Sequence, residues 1–347
     1  MKNEIPLYMN NPVGKFLNYI LFDDFSFNEK NISQINFDEM IKKSSEYLLL
    51  PAIYSNIKKK KIEKLFPYQL IEYLNYIFEL NYSRNENLIS EIRFLSKKLN
   101  DNSIDHVFIK GASSIPSNLY SNIGERMVGD IDFLFEDSKT SLLKKLLTEL
   151  NYKDIIDHGF FEKRHLTRKT SENKVFAVEA HTKLFDINTK LIDTNKLLKN
   201  KTIINGVNVP SFDDQYKINI LNHQLNNYGS FLLSFDYRTY YDCHLQIKKF
   251  KINTKEIQNE IINKFYLVSK IQNVKIKHKF EIKNDKLISN RLKIRKKNIL
   301  LSKIDKFIFF DSHIFLGIVN MLPKKIYKLI ISREYRYYLL KKIKNQV

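Results

Sequence analysis

The sequence predicts a small α/β domain set between two helical regions. Three observations carry this. Apolar residues recur every three to four positions through the first hundred residues. Short apolar runs, one ending in glycine and one alternating with aspartate, follow between residues 101 and 210. A helical texture then returns and continues to the C terminus.

In the first region, 1–100, Pro67 suits a first helical turn. After it, Leu70, Leu74, Phe78, Leu88, Ile92, Leu95 and Leu99 form the stripe of a long amphipathic helix, with a gap near residue 81. Asn81 and Asn85 fall on the same stripe. Each is either a satisfied buried amide, the favoured reading, or a polar group reaching a ligand from the core-facing side. The texture changes at Asn100. Residues 106–109 read as a strand that ends in a turn at Gly111. Residues 128–135 and 175–180 are further strand candidates, and 141–150 has helical spacing. The second region, 101–210, closes near Pro210, and Ser211-Phe-Asp-Asp reads as a helix start. The third, 211–347, reads as helices over 217–227, 231–250 and 255–270, with two or three more before the end.

A content of 43% hydrophobic and 28% charged residues excludes a disordered chain. The one cysteine, Cys243, excludes a disulfide framework and a cysteine-based zinc site; it reads as a core filler and points to a reducing compartment. No apolar run reaches the roughly 18–20 residues that span a bilayer. The longest candidate, 307–323, is interrupted by Asp311 and His313. The opening residues have no apolar signal core, so a cytoplasmic location is expected.

The net charge is +20, unevenly spread. Residues 241–347 hold 26 Lys/Arg against 8 Asp/Glu, whereas the first 240 hold 32 against 30. A basic third suits a polyanionic partner, RNA or an anionic membrane surface. The alternative is compositional drift in a chain rich in Asn, Ile and Lys.

Val128-Gly-Asp-Ile-Asp-Phe-Leu-Phe135 carries the most chemistry. Asp130 and Asp132 are two apart, so on a strand they share a face, with Cβ atoms about 6.6 Å apart, while Ile131 and Phe133 face the core. That separation suits one magnesium ion or a close pair. The alternative is an exposed edge strand whose polar face is merely wet. Upstream, Phe108-Ile-Lys-Gly-Ala-Ser-Ser114 is a strand running into a glycine turn whose backbone N–H groups can hold phosphate; Lys110 adds a charge, and Arg126 is a second phosphate clamp. Downstream, Glu179 places an acid inside an apolar strand, with Asp154, Asp157 and Asp186 as alternatives for the third acid.

The order of glycine turn, paired aspartates and later glutamate resembles the DNA polymerase beta-like nucleotidyltransferase superfamily. Within it, the chain is similar to uncharacterised nucleotidyltransferase family proteins. The matching pieces are IKGASS at 109–114, Tyr120, RMVGDIDFLF at 126–135 and VEAH at 178–181. Looser matches are SRNENLISEI at 83–92, Asn222-His223 and Arg238-x-x-x-Asp242. The resemblance spans about residues 35–245 and implies an α/β (α+β) nucleotidyltransferase core with a mixed sheet and helical flanks. It implies Asp130 and Asp132 as ligands of two Mg2+ ions holding an NTP such as ATP. It implies Glu179 as the third acid, which binds the catalytic metal and orients or deprotonates an acceptor hydroxyl. Lys110, Gly111, Ser113, Ser114 and Arg126 are then the nucleotide-binding candidates. Ala112 stands where the superfamily usually has serine. The longer gap from Gly111 to Asp130 suggests that the loop 117–126 shapes the pocket.

Weaker candidates are His181, one step along the strand face from Glu179, and His223, which either closes the pocket or is a buried structural histidine. Arg238 and Asp242 are spaced as a helical ion pair. The expected activity is transfer of a nucleotidyl group to an acceptor such as a sugar, a peptide or protein side chain, or RNA. The alternatives are a non-catalytic binding protein on the same fold and a membrane-surface enzyme with a lipid-linked acceptor.

Overall fold

A computed structural model describes residues 12–22, 27–155, 164–185, 191–272, 274, 281–283, 285–297 and scattered positions as far as 340. Residues 1–292 form one compact unit and 293–347 a second. The apolar run 307–323 lies wholly outside the described residues.

The first region is helical, as its spacing predicts. Helices α1 (Pro12–Leu21), α2 (Phe37–Glu46) and α3 (Leu50–Lys60) bury one face each. Asn36 caps α2 by accepting from the Glu39 N–H, and Lys61 ends α3 in a left-handed conformation. After Pro67, α4 (Tyr68–Asp101) runs unbroken for 34 residues. Its stripe, from Leu74 through Leu88 and Ile92 to Leu99, is fully buried.

A mixed sheet follows. Its strands are β1 (His106–Phe108), β2 (Asp130–Phe135), β3 (Lys153–Asp154), β4 (Lys169–Thr170) and β5 (Ala177–His181). The short turn α5 (Gly111–Ser114) follows β1, and α6 (Thr140–Glu149) follows β2. The strand order is β1-β2-β5-β4-β3, with only the β2–β5 pair parallel. β2 is therefore an interior strand, not a wet edge. Ile131 and Phe133 join the main core; Leu134, facing the other way, packs with Val107, Ile109 and Ile218. The sheet is thus covered on both faces, and an aspartate on β2 sits in a partly dry setting.

Helix α7 (Thr194–Lys199) leads to a hairpin of β6 (Thr202–Ile204) and β7 (Val207–Val209). Its two-residue turn, Asn205-Gly206, has φ of 50° and 79°, as a hairpin of this length requires. Ser211 caps α8 (Phe212–Leu221) as its sequence suggests, and a π-helical turn, Asn222–Asn226, extends it. One helix over 231–250 does not form. Leu233 is left-handed and closes α9 (Gly229–Leu232); Asp236 then caps α10 (Tyr237–Phe250). The next helix, α11 (Glu260–Ile271), starts later than expected because Asn259 caps it. Helix α12 (Lys286–Lys297) follows, and helical positions recur among the described residues from 301 to 340.

The connection between α5 and β2, residues 115–129, is tied down by side chains from three helices. From α4, Asn81 donates to the Gly124 carbonyl at 2.7 Å, Asn85 to those of Ile123 and Arg126 at 2.6 and 2.8 Å, and Arg84 to that of Val128. Glu125, fully buried, accepts from Ser55 and Lys59 of α3 and from Tyr241 of α10. Asp242 accepts from Tyr120 at 2.8 Å and Arg126 at 3.1 Å. The carbonyls of Ile123, Gly124, Arg126 and Val128 thus each find a side-chain donor.

Candidate active site

The parallel register sets Asp132 directly beside Glu179, with Asp130 and His181 each two residues along their strands. The alternation of β2 puts both aspartates on the face that Glu179 and His181 share. The Asp132 Oδ1 receives Lys110 Nζ at 2.6 Å and His181 Nε2 at 2.8 Å. The His181 Nε2 is also 3.8 Å from the Glu179 Oε2. A carboxylate only accepts, so His181 carries its proton on Nε2, and its buried Nδ1 has no hydrogen-bond partner.

Charge at the site is unevenly balanced. Burial would raise the Asp132 carboxyl, but Lys110 and His181 more than offset this and hold it well below the ordinary carboxylate range. Asp130 is shifted upward by burial and by the Asp132 charge, and Glu179 by burial and by both aspartates. Burial lowers His181 to about 4, against the raising effect of its bond to Asp132, so its ring is neutral near pH 7.

Lys110 reaches Asp132 from an unusual backbone, with φ 55° and ψ −132°. Such a conformation in a non-glycine residue stores strain and recurs at functional sites. Its carbonyl accepts the hydroxyls of both Ser113 and Ser114 at 2.9 Å. Gly111 is needed for packing: a Cβ there would meet both Val128 methyl carbons at 2.9 Å.

The structure thus brings Asp130, Asp132, Glu179, His181 and Lys110 together. Arg126 is instead buried against Asp242 and the Met127 carbonyl, at 3.1 and 2.6 Å. Asp242 takes Arg126 and Tyr120 as its hydrogen-bond partners, where helical spacing suggested Arg238. The Asn85 Nδ2 donates to the 115–129 segment, while its buried Oδ1 has no hydrogen-bond partner. His223 lies in the π-helical turn, its Nε2 facing the Ser234 carbonyl at 3.2 Å, with Gly229 packed on its ring. Cys243 is a buried free thiol. Asp154 pairs with Lys169 at 2.7 Å, while Asp157 and Asp186 lie outside the described residues.

The model of a family described as uncharacterised nucleotidyltransferases matches residues 33–262, well over half of the chain. The chain belongs to that family. No curated protein matches it. The matched span contains every strand of the sheet and all five residues of the acidic site, so the chain carries its acids on the part that the family shares.

The donor set of the site fits a divalent cation. One atom each from Asp132, Glu179 and His181 lies within 4.8 Å of the other two. Burial first, and then the neighbouring carboxylates, shift Asp130 and Glu179 upward, and a bound cation would favour their charged forms. Sequence reasoning missed one member of the site. Arg168 lies between two of the acids, its Nη2 3.5 Å from the Asp130 Oδ2 and its Nε 3.8 Å from the Glu179 Oε1. It precedes a two-residue strand with no apolar alternation, so no local pattern marks it.

Proposed function

We propose that this chain transfers a nucleotidyl group from an NTP to an acceptor hydroxyl or phosphate and releases pyrophosphate. The observation that carries the reading is the convergence of Asp130, Asp132 and Glu179 from two adjacent parallel strands. Asp130, Asp132 and Glu179 would hold two Mg2+ ions, which supply Lewis-acid chemistry: they neutralise the triphosphate and activate the acceptor oxygen. The acceptor oxygen bonds to the α-phosphorus as the bond to the β-phosphate oxygen breaks, and the electron pair leaves on pyrophosphate. Glu179, directly beside Asp132 on the adjacent strand, would take the acceptor proton. Lys110, now on Asp132, is placed to meet phosphate oxygens once that carboxylate is otherwise engaged. The concentration of charge in residues 241–347 supports a polyanionic partner, RNA or an anionic membrane, alongside a sugar or protein acceptor.

The test combines a melting measurement with labelling. Mg2+ plus NTP should raise the melting temperature of the wild type, and Asp130→Asn should remove that shift while staying folded. Incubation with each labelled NTP and cell extract should place label on one fraction: RNA, lipid, protein or small molecule. An equally large ligand-induced shift in Asp130→Asn would sink the assignment.

A further inference from the structure

Arg168 is the cation of the site that the family resemblance leaves without a task. The backbone that presents it is irregular. His165 bridges to His181, and Lys169 pairs with Val178. Between these two pairs the Arg168 side spans one residue more than β5 does, which is a β-bulge. With Lys169 opposite Val178, alternation turns Arg168 to the face that Glu179 and Asp130 share. The segment is held in place, with the Leu166 N–H donating to the Ala180 carbonyl at 2.8 Å and the Ile155 N–H to the Arg168 carbonyl at 2.9 Å.

The side chain is held much less firmly than the backbone. Its contacts to Asp130 and Glu179, at 3.5 and 3.8 Å, are ion-pair distances beyond a close charge-assisted hydrogen bond. Its Nε is buried with no hydrogen-bond acceptor, yet a third of the side chain is exposed. Lys110 and Arg126, by contrast, are each closely paired, to Asp132 and to Asp242. A guanidinium is a planar fork that matches a phosphate better than it matches two separate carboxylates approached at long range.

We propose that Arg168 is an exchangeable counterion, which neutralises Asp130 and Glu179 while the acids hold no metal and moves onto the nucleotide phosphates once a cation takes the acids. The role rests on the nucleotidyl-transfer reading above. It predicts effects of opposite sign from one substitution. Removing the guanidinium removes a competitor for the acids, so the cation should bind better without nucleotide. It also removes a phosphate ligand, so the nucleotide should bind worse. A side chain that merely supports the fold would weaken both.

The experiment uses full-length protein, wild type and Arg168→Gln, with Arg168→Lys as a second variant. Mn2+ affinity is read by electron paramagnetic resonance of the free ion, without nucleotide. Nucleotide affinity is read with a fluorescent NTP analogue that cannot be cleaved at the α–β bond, in saturating Mg2+. In Arg168→Gln, Mn2+ should bind several-fold tighter, and the analogue should bind about tenfold weaker or worse. Arg168→Lys keeps the charge but not the fork, so its Mn2+ affinity should stay near wild type while the analogue still binds more weakly. A wild type that binds both ligands, with Arg168→Gln unchanged or with both affinities falling together, overturns the role of Arg168 alone. A wild type that binds neither overturns the nucleotidyl-transfer reading, and the exchange with it.

Discussion

Gly111→Ala adds one methyl group, and the structure says what it meets. The new Cβ would lie 2.9 Å from both γ-carbons of Val128, which is buried and two residues before Asp130. Gly111 is not in the left-handed region, so the penalty is contact, not backbone strain. Overpacking of this kind costs about 1–3 kcal/mol. Val128→Ala alone removes two buried methyl groups and costs about 2 kcal/mol. Were the two independent, the double variant would lose about 4 kcal/mol. They are in contact, however. With Val128 shortened, the nearest neighbour of the Gly111 Cβ is the Val128 Cβ at 3.4 Å, an ordinary distance. The double variant should therefore lose roughly 2 kcal/mol, no more than Val128→Ala alone. Urea unfolding followed by far-UV circular dichroism measures this in a chain without tryptophan. The same variants should be assayed for NTP binding, which the double variant should recover if the glycine serves packing. An additive double variant would refute the steric argument. A stable double variant that still fails to bind NTP would return Gly111 to the phosphate.

Two further outcomes are expected. Glu179→Gln should bind NTP within a few-fold of wild type yet lose about 10²–10⁴ in turnover, measured by single-turnover label transfer; full activity would place the third acid elsewhere. His106, lowered to about 4 chiefly by burial, donates from Nδ1 to the Ile104 carbonyl and accepts from Asn208 on Nε2, so it stays neutral where the unfolded chain is protonated. Its contribution to stability is present above pH 6.5 and lost as pH falls towards 4, by roughly 3 kcal/mol, and His106→Gln should flatten that part of the stability–pH curve.

The residues that period two or period 3.6 governs were legible from sequence. The alternation at 130–135 places both aspartates on one face, and the stripe of α4 is buried where its spacing says. Asn81 and Asn85, on that stripe, each donate to a buried loop carbonyl. What could not be read was pairing across distance. Arg126 has the composition of a phosphate clamp, but Asp242, 116 residues away, holds it. Arg238 and Asp242 have helical ion-pair spacing, yet Asp242 is turned to Tyr120 and Arg126. Arg168 reaches the acids because its neighbour Lys169 pairs with Val178, next to Glu179 on β5, and a pairing between such separate segments leaves no mark in a one-dimensional pattern. Leu233 ends a helix through a left-handed conformation that leucine rarely adopts, so propensity argued for continuation.

Stretches without regular secondary structure are ordinarily where a protease cuts or a spliced-in tag is tolerated. Residues 115–129 are such a stretch in outline only. Their carbonyls are occupied by Asn81, Arg84 and Asn85, and Glu125 alone fastens them to two further helices. Cleaving there would unmake hydrogen bonds to α3, α4 and α10 at once, and lengthening there would pull Val128 off Gly111 next to the first aspartate. The segment behaves as a keystone: sequence-remote helices lean on it, and the two aspartates are set immediately beyond its last residue.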